Sequence, residues 1–312
     1  MTPDQPVIRT EGLSKNYGDL QAVDNLCLNI PEGEFFGLLG PNGSGKTTTI
    51  HMLTTLARPT SGHAEVAGYD VFKNGVAVRR ETGLVFQDSA LDRTLSVEEN
   101  LRFAGMLRNL STAVIRERSD ELLKLFNLSD RRGQKVATLS GGMRRALDIA
   151  RGVLHQPRIL FLDEPTLGLD VPSRRHIWSF IERLRRDEGM TVFLTTHYLE
   201  EAEDCDRVAF LNKGQIVGSG APKALIQNLG TYIIEIESEQ IDAVVALLSP
   251  RLGPALQDSN KASFRTHDAH VNLAELQAEL GEQVQSVRRR APNLNDVFLW
   301  VHSPHFTMEL TT

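Results

Sequence analysis

A chain of 312 residues with 41% hydrophobic and 24% charged side chains has the composition of a folded globular protein, long enough for one large core and a smaller second domain. Its net charge of −6 argues against a protein built to grip nucleic acid, which needs clustered cations, and the short basic run Arg288–Arg290 reads as solvated or strand-end positions. Cys27 and Cys205, with no second ligand nearby, suggest neither a disulfide framework nor a zinc site. No run approaches the ~18–20 apolar residues of a membrane span, and Met1–Gln5 carries no secretory pattern, so a cytoplasmic location is expected, with any membrane role supplied by a partner.

Residues Val23 to Ile30 alternate, with Leu26, Leu28 and Ile30 on one face, then meet Pro31-Glu32-Gly33; this predicts a half-buried strand ending in a turn. Phe35–Leu39, Ile159–Leu162 and Thr191–Leu194 are instead unbroken apolar runs, which suit parallel strands covered on both faces. With helical stretches between them they predict an α/β domain.

Directly after Phe35–Leu39, the stretch Gly40-Pro41-Asn42-Gly43-Ser44-Gly45-Lys46-Thr47 meets G-x-x-x-x-G-K-[ST] without departure, with a helix expected from near Thr48. Glycines let the backbone wrap phosphate, while amides and a helix N-terminus aim partial positive charge at it. Lys46 is expected to reach the β and γ phosphates and Thr47 to bind magnesium. A glycine-rich turn that happens to carry lysine is the alternative, disfavoured by the flanking strand and helix.

Ser96 and Glu99 form a capping box opening a helix on which Phe103, Leu107 and Leu110 share a face; Ile115, Leu122 and Phe126 are in phase on a second helix. This all-helical insert, about 96–130, interrupts the α/β pattern. Leu139-Ser140-Gly141-Gly142-Met143 precedes a further helix, Arg144–Leu154. Asp163 and Glu164 then close the strand that starts at Ile159. Two acids at the end of a buried strand are costly without partners and imply a cation or a polar reaction centre. Asp163 is read as the magnesium-side acid, and Glu164 as the group that orients or deprotonates an attacking water. Taken singly, each acid can also be a cap or turn residue before Pro165.

A hairpin over 208–217 turns at Asn212-Lys213-Gly214, and the character changes near Asn228-Leu229-Gly230. The domains are accordingly set at 1–227 and 228–312. The second reads as strand Tyr232–Glu237, helix, two short strands, helix Leu273–Leu280 and strand Val284–Arg288, a βαββαβ order that makes a ferredoxin-like layer.

The phosphate loop, Leu139–Met143 and Asp163-Glu164, in that order, resemble the ABC family of ATPases over about Val7 to Ala224. Ser140, Gly141 and Gly142 at a helix start make a second phosphate cradle of hydroxyl and amides; alone they would be a cap and a turn. The resemblance implies a head-to-tail dimer, a homodimer or a pairing with a second cassette, in which this cradle closes on the ATP held by the other subunit. Tyr17 matches the aromatic that stacks on adenine, with an edge-strand tyrosine as the other reading. Gln87 matches the glutamine that senses magnesium and the γ phosphate, Asp170 the acid that links the two sites, and His197 the histidine that contacts the γ phosphate. Thr48 follows Thr47 into the nucleotide-binding set. Met143 stands where many members carry glutamine, which should alter contacts beside the cradle. Asn212-Lys213-Gly214-Gln215 lacks the aspartate of a guanine-reading loop, so adenine is expected.

The implied fold is a P-loop NTPase of ABC type with an antiparallel β subdomain and helical insert, plus a small α+β, ferredoxin-like C-terminal domain; the implied cofactors are ATP and Mg2+. Pro292-Asn293-Leu294-Asn295-Asp296-Val297-Phe298 resembles the Pro-x-Leu-Glu-Asp-Val-Phe element of daunorubicin/doxorubicin resistance ATPases, with Asn295 where Glu is usual; Asn293 is also a reasonable helix cap with Asp296. That implies an ABC-2 exporter subunit powering efflux of a drug, lipid or polysaccharide. The cassette would sit on the inner face of the cell membrane through separate multi-span permease subunits, which family members touch through the insert. The rival readings are a soluble ABC-type ATPase acting on ribosomes or DNA, for which the single cassette lacks the usual insertions, and a kinase-like P-loop transferase.

Overall fold

Phe35–Leu39, Ile159–Asp163 and Thr191–Thr196 are strands buried at every position, as unbroken apolar runs require. They pair in parallel, 35–39 beside 191–196 beside 159–163, with the short strand Thr82–Val85 at the end of this set. Register sets Phe36 beside Phe193 and Phe161 beside Phe193, and their rings lie 5.3 and 5.4 Å apart, an aromatic row that fills one layer of the core. The computed structural model describes residues 6–268 and 271–303, so the expectation for Met1–Gln5 lies outside the described residues.

By internal contacts the chain divides into two compact units, Met1–His197 with Leu211–Ile216, and Tyr198–Phe210 with Val217–Thr312. In the first, strands Ile8–Tyr17 and Leu20–Ile30 form with Ser61–Val66 and Tyr69–Asp70 the expected antiparallel subdomain. The insert is two helices, Val97–Leu107 and Thr112–Leu125, and a 3-10 turn, Ser129–Arg131. Ser96 and Glu99 make the reciprocal capping box. The face carrying Phe103 and Leu107 points outward; Val97, Asn100, Leu101 and Gly105 are the buried ones. A Cβ on Gly105 would meet Ile115 at 2.5 Å, so the two helices approach on the side opposite the larger apolar residues.

The second unit contains the βαββαβ order: Tyr232–Glu237, helix Ile241–Leu252, Ala255–Asp258, Lys261–Thr266, helix Leu273–Leu280, and Ser286–Arg290. Its sheet is antiparallel, in the spatial order 255–258, 261–266, 232–237, 286–290. Ile234 and Ile236 alternate inward against Val244, Leu248, Phe264 and Leu276 while Glu235 and Glu237 alternate with them, the period of a half-buried strand.

The tail helix Leu294–Val301 starts on a capping box between Asn293 and Asp296. The Asp296 carboxylate also takes a two-pronged pair from Arg290, at 2.6 and 2.7 Å, and Arg290 reaches Glu235 at 2.8 Å. One buried acid therefore ties the helix start to the sheet edge. Asp296→Ala removes both the cap and the pair, and is expected to lower unfolding free energy by about 1–3 kcal/mol in chemical denaturation. A change indistinguishable from zero would contradict this role.

Candidate active site

The phosphate-binding loop spans from Leu39 to a helix that begins at Lys46, not near Thr48. The reason is Gly45. It caps the helix in the left-handed region at φ 111, and a Cβ there would sit 2.3 Å from the Ala22 carbonyl, so only glycine turns the chain this tightly. The amides of Lys46, Thr47 and Thr48 thereby fall in the first turn of the helix, where N–H groups have no partner within the helix. Pro41, Asn42 and Gly43 form the exposed tip, below Gly40. Ser44 is tied by its carbonyl to Gly214 N–H at 2.9 Å, and its hydroxyl is buried with no protein partner among the described residues. An orphaned buried hydroxyl costs about 1–3 kcal/mol, and a phosphate oxygen arriving in the loop would satisfy it.

Lys46 is 5% exposed. Its Nζ donates to the carbonyls of Gly40 at 2.8 Å and Pro41 at 3.2 Å and stands 3.5 Å from Glu164 Oε1. Burial pulls its ammonium below the ordinary lysine value, and the neighbouring Glu164 and Asp163 carboxylates push back.

Parallel pairing sets Asp163 opposite Thr195. The Thr195 hydroxyl donates to Asp163 Oδ1 at 2.5 Å and Thr47 Oγ1 donates to the same oxygen at 3.2 Å. Glu164 follows in the left-handed region, at φ 44, uncommon for a residue with a side chain, with its N–H given to the Thr195 carbonyl at 3.0 Å. Its other carboxylate oxygen lies 3.2 Å from His197 Nδ1. Glu164 thus bridges Lys46 and His197, beside the Thr47–Asp163 pair whose oxygens are the right kind for a hard divalent cation.

The remaining expected residues stand at the ends of separate elements. Ser140 caps a helix that runs Gly141–Val153, earlier than the Arg144 start expected, because its hydroxyl takes the Met143 N–H at 3.2 Å. Gly141 and Gly142 are therefore first-turn residues, and Ser140 and Gly141 are exposed. A Cβ on Gly142 would lie 2.6 Å from Ser173 Oγ, so its bareness admits the helix Val171–Glu188. Asp170 caps that helix through Ser173 N–H at 2.8 Å, and the Ser173 hydrogen bonds hold its carboxyl below the ordinary value. Gln87 is exposed just beyond the strand Thr82–Val85. Tyr17 ends its strand with an exposed ring, Lys15 Nζ 4.8 Å from the centroid.

Two further residues enter the site unannounced by motif. Thr195 orients Asp163, and its signal was position: it pairs opposite the acid in a parallel register. Arg145 has a buried guanidinium that holds the carbonyls around both acids; a charged residue in a helix buried from Arg145 to Ala150 had to be fully partnered.

Residues 23–167 match the family described as ABC transporter. Over 300 residues, 94% of each chain, the sequence is 40% identical to a daunorubicin resistance ATP-binding protein of Streptomyces coeruleorubidus. The chain belongs to the ABC transporter ATP-binding family. This cassette is also 37% identical, over 94% of its length and 93% of the other's, to a Nod factor export ATP-binding protein of Ralstonia nicotianae. A solved dimeric ATP-binding cassette in a post-hydrolysis state with ADP and Pi superposes on it with a TM-score of 0.63 at 29% identity, covering 69% of this chain and 98% of that one. The ABC cassette is an ATPase.

In this cassette Lys46→Ala removes charge-assisted donors each worth about 1.5–3 kcal/mol. Titration with a fluorescent ATP analogue is expected to show affinity reduced by about 10- to 100-fold; unchanged affinity would contradict the position assigned to the ammonium.

Proposed function

We propose that this cassette hydrolyses ATP in a two-site dimer and drives efflux of a drug, lipid or polysaccharide through a separately encoded permease. The observation that carries the catalytic part is the Glu164 carboxylate held between Lys46 at 3.5 Å and His197 at 3.2 Å. A water beside Glu164 Oε2 attacks the γ phosphorus, the bond from that phosphorus to the oxygen bridging to the β phosphorus breaks, and ADP leaves as phosphate forms. Glu164 accepts the proton or orients the water, and His197 lies within reach of the same carboxylate oxygen to hold it or the γ phosphate. Lys46 exchanges its contacts with the Gly40 and Pro41 carbonyls for phosphate oxygens, and the loop amides bind the rest.

Thr47 and Asp163, with Gln87 reaching from the strand end, would hold Mg2+. Bound there, the ion neutralises phosphate charge as it builds. Thr195 keeps the Asp163 carboxylate aimed while Tyr17 offers an exposed ring for adenine to stack on. The exposed Ser140-Gly141 helix start is a donor surface turned to solvent, which supports closure over the nucleotide of a second protomer, with Asp170 beside that junction.

A membrane partner is supported by the relatives named for drug resistance and Nod factor export. No helix among the described residues is long and apolar enough to cross a membrane. On the insert, Phe103, Met106 and Leu107 are 57%, 58% and 68% exposed, an apolar ridge that a permease segment would cover.

Glu164→Gln keeps the shape and loses the base. Phosphate release is expected to fall by on the order of 100-fold or more with ATP still bound; unchanged release would remove Glu164 from its role. Leu107→Glu is expected to abolish co-purification with a multi-span membrane protein encoded beside this one. Retained co-purification would move the docking site elsewhere, and recovery on ribosomes or DNA would overturn transport.

A further inference from the structure

We propose that Arg145 is a positioning residue of the hydrolytic site, a clamp that holds Glu164 at its working place and joins the Gln87 segment to the helix capped by Ser140. The proposal rests on the role given to Glu164 above.

The guanidinium is buried, and the Asp148 carboxylate stands 3.8 Å from one of its terminal nitrogens. Its N–H groups also reach four main-chain carbonyls. Nε donates to Pro165 O at 2.5 Å, one terminal nitrogen to Phe86 O at 2.5 Å, and the other to Asp163 O at 3.2 Å and Glu164 O at 3.3 Å. A rigid planar fork is suited to collecting several fixed acceptors at once. Three of these acceptors belong to consecutive residues, the turn that bears both acids. The fourth belongs to the residue before Gln87.

Glu164 needs such a hold. At φ 44 it occupies a backbone region that residues with a side chain avoid and that persists where the surroundings enforce it. On one side it is fixed by Thr195, which accepts its N–H; on the other its carbonyl and those flanking it are fixed by Arg145. Loosening that second side lets the peptide relax, and the carboxylate then leaves the 3.5 Å and 3.2 Å separations from Lys46 and His197. Arg145 also sits in the first turns of the helix Gly141–Val153, so displacement of the Ser140 cap by a partner's phosphate reaches the acid turn and Phe86 through one side chain.

The test compares Arg145→Ala and Arg145→Lys in the full-length chain with the parent and with Glu164→Gln. Lysine keeps the charge and reaches fewer carbonyls than the fork. Expected is a fall in kcat on the order of 10- to 100-fold for Arg145→Ala with KM for ATP within about 3-fold, and an intermediate kcat for Arg145→Lys, all expressed per folded molecule as counted by ATP-analogue binding. A kcat in both variants within about 3-fold of the parent, or kcat falling only in step with the folded fraction, would overturn the proposal. Aggregation of both variants would overturn it too, leaving an arginine that only holds the fold. Normal hydrolysis by Glu164→Gln would instead defeat the assignment of Glu164, whatever Arg145 does.

Discussion

An ammonium and two carboxylates are held out of water at one edge of a parallel sheet, and the surrounding structure is arranged to make that tolerable. Each buried charge costs several kcal/mol unless partnered. Lys46 is met by two carbonyls and Glu164, Asp163 by two threonine hydroxyls, Glu164 by Lys46 and His197. Parallel pairing is what brings them together: Leu39 lies opposite Thr196 and Asp163 opposite Thr195, so the carboxyl ends of the strands open on a common edge, where ligands of such sheets bind. Three buried apolar strands thus fix the positions of residues far apart in sequence.

The same need to satisfy buried polar groups explains the less obvious parts. The Ser44 hydroxyl lacks a protein partner among the described residues, in the loop that leads into the helix start at Lys46. Glu164 bends through a backbone region that side chains avoid, and Arg145 and Thr195 hold it from opposite sides. In the second unit Asp296 serves a helix start and an arginine at once, so the Asn295 departure from the usual tail motif leaves the acid that does the structural work in place.

Much of this was legible in the residues. Unbroken apolar runs identified the parallel strands, because both faces are covered. Tyr232–Glu237 was read as a strand opening a βαββαβ order, and that order is present. The phosphate loop and the acid pair were readable because their spacing is imposed by backbone geometry. Element ends were read less well: the helix at Lys46 and the helix at Gly141 both start earlier than apolar periodicity suggests, since Gly45 and Ser140 cap them and capping precedes the periodic stretch. Phe103 and Leu107 share a face as the spacing said, but periodicity does not reveal whether a face turns in or out, and here Gly105 and Ile115 decide it by close approach. Arg145 had no motif to mark it, since its partners are carbonyls, which leave no trace in side-chain identity.

Sharing of each nucleotide between two chains is the claim on which hydrolysis, dimerisation and transport all rest. Co-expression of a Lys46→Ala chain with a Ser140→Arg chain, each inactive as a homodimer, tests it directly. A mixed dimer then holds one site with an intact loop from one chain and an intact cradle from the other. The account predicts that ATPase activity returns, to about a quarter of the parent value when chains pair at random; no recovery in isolated mixed dimers would mean that loop and cradle serve the nucleotide of the same chain.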